Sequence, residues 1–186
     1  MTISRLAIVN YPDPVLRKKA SRVERVTPEL LRFVAEMADS MEEANGVGLA
    51  APQLGISLRI IVVDTDDELI PLFNPQILAA EGSQRGTEGC LSLPGLHGEV
   101  TRAQRVTVTG MNKRGKKITL SGEGLWARAM QHEIDHLDGI LFTDLVHPET
   151  LYWATGDVDA DGKMITRPTS LEEALRFFEK EARLKV

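Results

Sequence analysis

Two histidines and a glutamate, His132, Glu133 and His136, stand in the stretch Gln131-His-Glu-Ile-Asp-His136. Residues four apart on a helix project from one face, one turn above the other. Both imidazoles can then reach one metal ion, and the glutamate beside the first can act on a water held by that ion. Two solvated histidines on a surface helix are the bland alternative. Their neighbours argue against it: Leu125, Trp126, Ala129, Met130, Ile134 and Leu137 make the segment largely apolar and therefore buried. Two imidazoles and a carboxylate are costly there without a shared partner.

A catalytic site of this kind needs a third protein ligand. A histidine six residues after the second is excluded, because that position is Phe142. Later glutamates remain: Glu149, and Glu172, Glu173 and Glu179 on an amphipathic terminal segment. The single cysteine, Cys90, competes with them. A lone cysteine is more often a small buried hydrophobe, yet Glu88-Gly-Cys-Leu-Ser92 sets this one among turn-forming residues. From the residues alone, both choices stay open.

The elements that must position these groups can be read from periodicity and caps. Thr27 caps a helix that starts at Pro28 and carries Leu30, Val34, Met37, Met41 and Ala44 on one face, with Gly46 as its stop. Leu58 to Val63 is a buried β-branched strand. Leu69 to Phe73 is a second strand ended by Asn74-Pro75, and Ile77 to Glu81 and Val100 to Gly110 are others. Val106 to Thr109 is answered across a turn at Gly115 by Lys117 to Leu120. The metal-motif helix runs from about Gly124 to Leu137. Thr169-Ser170-Leu-Glu-Glu173 is a capping box that opens a final helix bearing Leu171, Leu175 and Phe178. Strands and helices that do not alternate one for one predict an α+β fold. A single catalytic domain over residues 1–186 is expected, with a variable acidic hairpin or loop at 148–168 and a C-terminal helix at 170–184.

Composition bounds the function. The chain has 186 residues, 42% hydrophobic and 26% charged, ordinary for a soluble domain. A formal net charge of −5 argues against direct nucleic-acid binding, and Lys113 to Lys117 reads as a polar hairpin tip. One cysteine excludes an internal disulfide. No apolar run approaches a membrane span, and the first ten residues lack a secretory leader, so a cytoplasmic enzyme is expected. Two motifs are decoys. Asp157 to Gly162 opens like an EF-hand loop, but Pro168 stands where the bidentate glutamate belongs. Gly46-x-Gly48-x-x-Ala51 resembles a dinucleotide turn but follows a helix pattern, not a strand.

Three segments in order, Gly46-Val-Gly-Leu-Ala-Ala-Pro-Gln53, Glu88-Gly-Cys-Leu-Ser92 and Gln131-His-Glu-Ile-Asp-His136, resemble the signature motifs of peptide deformylase. With Tyr11-Pro-Asp-Pro-Val-Leu-Arg17, the resemblance covers roughly residues 5 to 147. It implies mixed and antiparallel sheets packed around a central metal-binding helix, with a C-terminal helix. It further implies Cys90, His132 and His136 as ligands of one divalent metal ion, Fe2+ in the usual active form, with Zn2+, Ni2+ or Co2+ able to substitute. Glu133 would be the catalytic acid/base, and Gln53 and the Leu91 backbone N–H the oxyanion donors. The reaction implied is removal of the formyl group from N-formylated nascent polypeptides, releasing formate, with transient ribosome association and no membrane.

Under this reading Gly46, Val47 and Gly48 receive an extended substrate backbone. Leu125, Arg128, Ala129 and His132 line a pocket for methionine, with Arg128 at its rim. Glu88, Asp135 and Arg102 are available to hold the ligands, with an Arg102–Asp135 pairing implied. His97 departs from the arginine often found at its position. An iron–thiolate site open to solvent is also expected to be oxygen-sensitive. Two competing readings are a zinc endopeptidase using His132, His136 and a terminal-helix glutamate, and an inactive binding protein with a structural metal.

Overall fold

The computed structural model describes residues 6–64, 68–162 and 164–184; the expectation about a leader rests in part on residues 1–5, outside that range. Two antiparallel sheets enclose one helix. The first has the order β1-β2-β3-β6-β7, from Gly48–Ala50, Ile60–Asp64, Leu69–Glu81, Arg105–Met111 and Lys117–Glu123. The second has the order β4-β5-β8-β9, from Gln84–Cys90, Leu93–Arg102, Tyr152–Val158 and Met164–Pro168. The helices are α1 (Pro28–Glu43), α2 (Gly124–Leu137) and α3 (Leu171–Leu184). This is the α+β architecture expected, with α2 at its centre. Among the described residues no helix is long and apolar enough to cross a membrane.

Burial explains the strand pattern of the first sheet. Ile61 and Val63 of β2 face a core shared with Met130, Ile134 and Leu137 of α2. Ile60 and Val62, on the opposite face, pack with Val34, Met37 and Met41 of α1. A strand covered on both sides needs an unbroken apolar run, and Ile60 to Val63 is one. Leu93, Leu96 and Val100 of the second sheet pack with Leu141, Phe142 and Phe178 in a separate core. Caps form where the residues predict them. Thr27 Oγ1 accepts from Leu30 N–H, and Ser170 and Glu173 exchange the two bonds of a capping box.

Two strand expectations are corrected. Leu69–Phe73 and Ile77–Glu81 are one strand, β3, with register shifts between Phe73 and Gln76 and between Ile77 and Ala79. Asn74, at φ 53°, puts its side chain on the Val23 backbone, accepting at 2.8 Å and donating at 2.7 Å. Pro75, which lacks an N–H, thus sits in a bulge instead of ending the strand. Conversely, Val100–Gly110 is two strands in different sheets. The chain changes sheet at Ala103, whose N–H and C=O both pair with the Gln131 amide of α2.

The C-terminal end of α2 is held by Arg59, whose buried guanidinium donates to Leu137 O at 3.1 Å, Pro75 O at 3.4 Å and Asp138 Oδ1 at 2.8 Å. Arg59→Met strands those acceptors, so urea unfolding is expected to show a loss of roughly 3 kcal/mol. A loss within experimental error would mean that α2 ends without this support.

Candidate metal centre and catalytic site

Cys90 lies at the end of β4, where the ladder shifts register between Gly89 and Cys90. A bulge of this kind re-aims a side chain, and here it brings Cys90 to the two histidines of α2. One ligand atom each from Cys90, His132 and His136 falls within 4.8 Å of the others. Cys90 Sγ is 3.3 Å from His136 Nε2, and the two imidazoles meet edge to face at 4.9 Å. None of the three is more than 9% exposed. The terminal glutamates stand elsewhere: Glu172 and Glu173 are exposed on α3. Phe142 instead packs its ring along His132 at 6.4 Å.

The charges behind the cluster are arranged around Glu88. Its carboxylate accepts from Arg102 at 2.9 and 3.0 Å, from Arg128 Nη1 at 2.7 Å and from His132 Nδ1 at 2.9 Å. Arg102 also pairs with Asp135. Burial alone would raise the Glu88 carboxyl, but the bonds from His132 and Arg102 outweigh it and hold the group well below the usual carboxylate range. With Nδ1 committed to Glu88, His132 turns Nε2 to the cluster. Burial opposes a charge on His132, yet its bonds to Cys90 and Glu88 and the charge of Glu133 raise its affinity for a proton. Burial and the nearby His132 lower that of His136. Proton and metal therefore compete for these nitrogens.

Glu133 has a different environment. It is buried, its Oε2 has no hydrogen-bond partner, and burial pushes its carboxyl up to about 7, with His132 pulling the other way. Gln53 follows β1 in a short 3-10 turn over Ala51–Leu54. Its Oε1 accepts from Ala50 N–H at 2.8 Å, while its Nε2 is 3.3 Å from Ser92 Oγ and 3.5 Å from Cys90 Sγ. A thiol and two imidazoles that converge with few partners but one another fit a divalent ion with a fourth position left open.

A cleft of about 540 Å³ runs over the cluster, and Gly46, Val47, Gly48, Leu125, Arg128 and Ala129 all line it. Leu125 is 67% exposed, so core packing does not explain it. The rim position expected for Arg128 is corrected: its guanidinium is buried against Glu88 and Val100 O, because the Glu88 carboxylate needs a second cation. Two of these glycines also make room inside the protein. A Cβ on Gly48 would lie 2.5 Å from Glu133 Oε1, and one on Gly46 would lie 2.8 Å from Leu91 Cδ1. Each makes room for a neighbouring segment of the site. The structural part played by Gln131, whose amide pairs with Ala103, has no counterpart in the sequence reading.

A central α2 carrying a Cys-His-His cluster and a buried glutamate, clasped by two antiparallel sheets, defines a metal-dependent hydrolase. Residues 5–151 match the sequence profile of the polypeptide deformylase family, and the chain belongs to that family. It is 51% identical over 137 residues to the peptide deformylase of Carboxydothermus hydrogenoformans, covering 74% of this chain and 90% of that one. The crystal structure of a peptide deformylase from Legionella pneumophila superposes with a TM-score of 0.78, at 37% identity over 98% of both chains. Peptide deformylase 1B of Arabidopsis thaliana gives 0.81 at 34% identity, over 96% of this chain and 93% of that one. The activity is hydrolytic removal of the N-formyl group from newly made polypeptides.

Two predictions follow from the packing of Glu133. Between about 4.5 and about 7 the folded, metal-free protein keeps a proton on Glu133 that the unfolded chain has released. This group's contribution to stability therefore falls as pH rises through that window. In chelator, Glu133→Gln is expected to raise the melting temperature above pH 7 and to change it little near pH 4.5. Equal shifts at both values in scanning calorimetry would refute the buried charge. Gly48 is in a strand, and the atoms nearest to a methyl there all belong to Glu133. Gly48→Ala is expected to retain bound metal while turnover drops on the order of 100-fold; unchanged turnover would show that Glu133 has freedom to move.

Proposed function

We propose that Cys90, His132 and His136 hold one divalent ion and that Glu133 moves the protons of deformylation. The observation that supports this is the convergence of the three ligands, Glu133 and Gln53 on one cleft. When bound, the ion supplies Lewis acidity and brings a water toward ionisation at neutral pH. Fe2+ is assigned on the family resemblance, and the same donors accept Zn2+, Ni2+ or Co2+.

Glu133, with a free oxygen and a proton affinity near neutrality, takes the proton of the attacking water and later delivers it to the departing amine. The Gln53 Nε2 and the Leu91 N–H stabilise the charge that develops on the formyl oxygen. Gln53 suits this because its carbonyl end is anchored on Ala50, which leaves the amide end directed to Cys90 and Ser92. The substrate's methionine enters between Leu125, Ala129 and His132, and its backbone lies along Gly46, Val47 and Gly48. The work is cytoplasmic, on nascent chains met transiently at the ribosome, with no direct nucleic-acid contact, consistent with the net charge of −5.

The test is formate release from formyl-Met-Ala-Ser by protein loaded anaerobically with Fe2+ or Ni2+. Glu133→Ala is expected to keep its metal and lose turnover by roughly 10³-fold. Cys90→Ala is expected to lose the metal. Retained metal with cleavage inside the peptide would instead favour an endopeptidase.

A further inference from the structure

Gln53 is held at three points. Its Oε1 accepts from Ala50 N–H at 2.8 Å, its backbone carbonyl accepts from Val9 N–H at 2.8 Å, and its Nε2 lies 3.3 Å from Ser92 Oγ. The third contact joins two of the signature segments, residues 46–53 and 88–92, side chain to side chain. Two residues beyond Val9, Tyr11 N–H donates to Ser92 O at 3.0 Å. One short stretch of chain therefore ties the backbones of Gln53 and Ser92 together, whatever their side chains do.

A primary amide has two N–H donors and one acceptor. The bond from Ala50 fixes which end of the group is oxygen, so Nε2 turns the other way, to Ser92 and Cys90. One N–H donates to Ser92 Oγ. The same nitrogen is 3.5 Å from Cys90 Sγ, so the second N–H turns to the side of the metal cluster. Gln53 lines the cleft, whereas Ser92 is fully buried. A hydroxyl sealed from water is costly unless it is bonded, and among the described residues the Gln53 amide is the side chain that meets it.

We propose that Ser92 is a positioning residue for deformylation: it takes one N–H of the Gln53 amide so that the other is presented to the oxygen of the formyl group. Buried behind the cleft surface, it acts through Gln53. The inference rests on the deformylase reading, in which Gln53 is an oxyanion donor. An amide anchored at Oε1 alone can pivot, because the terminal torsion of glutamine sits in a broad well. A donor that already points at the developing charge stabilises it without reorganising. That charge arises only in the transition state, so loss of the aim falls on kcat and not on KM.

Wild type, Ser92→Ala, Gln53→Ala and the double variant are loaded with Ni2+ and assayed on formyl-Met-Ala-Ser. Ser92→Ala is expected to lower kcat about five- to tenfold, the worth of one neutral hydrogen bond, with KM and metal content unchanged. Gln53→Ala is expected to lower kcat about 100-fold. The double variant then matches Gln53→Ala, because Ser92 has nothing left to position. A wild-type kcat in Ser92→Ala overturns the inference. So does a further five- to tenfold loss in the double variant, which would mark Ser92 as packing only. One measurement on the metal-free wild type is independent of turnover and of how any variant folds. A nuclear Overhauser contact between a Gln53 Nε2 proton and the Ser92 Cβ protons is expected, and its absence overturns the inference. No formate from the wild type overturns the deformylase reading, and the inference with it, even where that contact is present.

Discussion

The rest of the site depends on one buried carboxylate. Glu88 accepts four hydrogen bonds, two from Arg102 and one each from Arg128 and His132. Two of its donors belong to α2 and one to β5, while Glu88 itself is on β4. The helix meets the first sheet through apolar side chains and the second sheet largely through this network. A buried ion pair gives little net stability over apolar packing of the same volume, since desolvation offsets the attraction. What it fixes is direction. Three helix residues at 128, 132 and 135 are tied to β4 and β5, so the helix cannot rotate or slide without breaking several charged bonds. The thiol at the end of β4 and the imidazoles of α2 therefore keep one relative placement.

Space is the second constraint, and glycine supplies it at positions where another residue's side chain must pass. Gly48 admits Glu133, Gly46 admits Leu91, Gly89 admits His97 and Gly86 lies under Arg128. The chain is drawn together at these points because a backbone without a Cβ lets a side chain lie directly on it. Gly46 and Gly48 thus bring the first of the three signature segments against the other two.

Much of this was legible in the residues. The helix over Gly124–Leu137 followed from its apolar run, and its burial from the same run. Caps at Thr27 and Ser170 could be named because their bonds are local. What could not be read was non-local. Arg128 as a second cation for Glu88 depends on a β4 residue forty positions away. The split at Ala103 depends on the Gln131 amide, and the continuity of β3 through Pro75 depends on Asn74 finding the Val23 backbone. The choice between Cys90 and a terminal glutamate was likewise a question of tertiary placement, which the residues raised but could not decide without a family resemblance. The packing role of the glycines was hidden for a related reason: sequence shows that a Cβ is missing, not which side chain fills the space.

The two buried glutamates show why burial alone does not make a catalytic group. Glu88 and Glu133 share the same metal cluster and comparable burial, 5% and 4% exposed. Both lose water, which by itself raises a carboxyl's proton affinity. Glu88 regains more than it loses from two guanidiniums and an imidazole, so it stays ionised and can only hold its neighbours. Glu133 has Gly48 against its stem and an oxygen without a partner, so desolvation is left uncompensated and the carboxyl rises to about 7. A group near neutrality can accept and return a proton within one turnover, while a strongly acidic one cannot. Carboxylates whose environments push them apart in this way are suited to different roles. Here the division is made by hydrogen-bond donors: four point at Glu88, and none is spared for Glu133 Oε2.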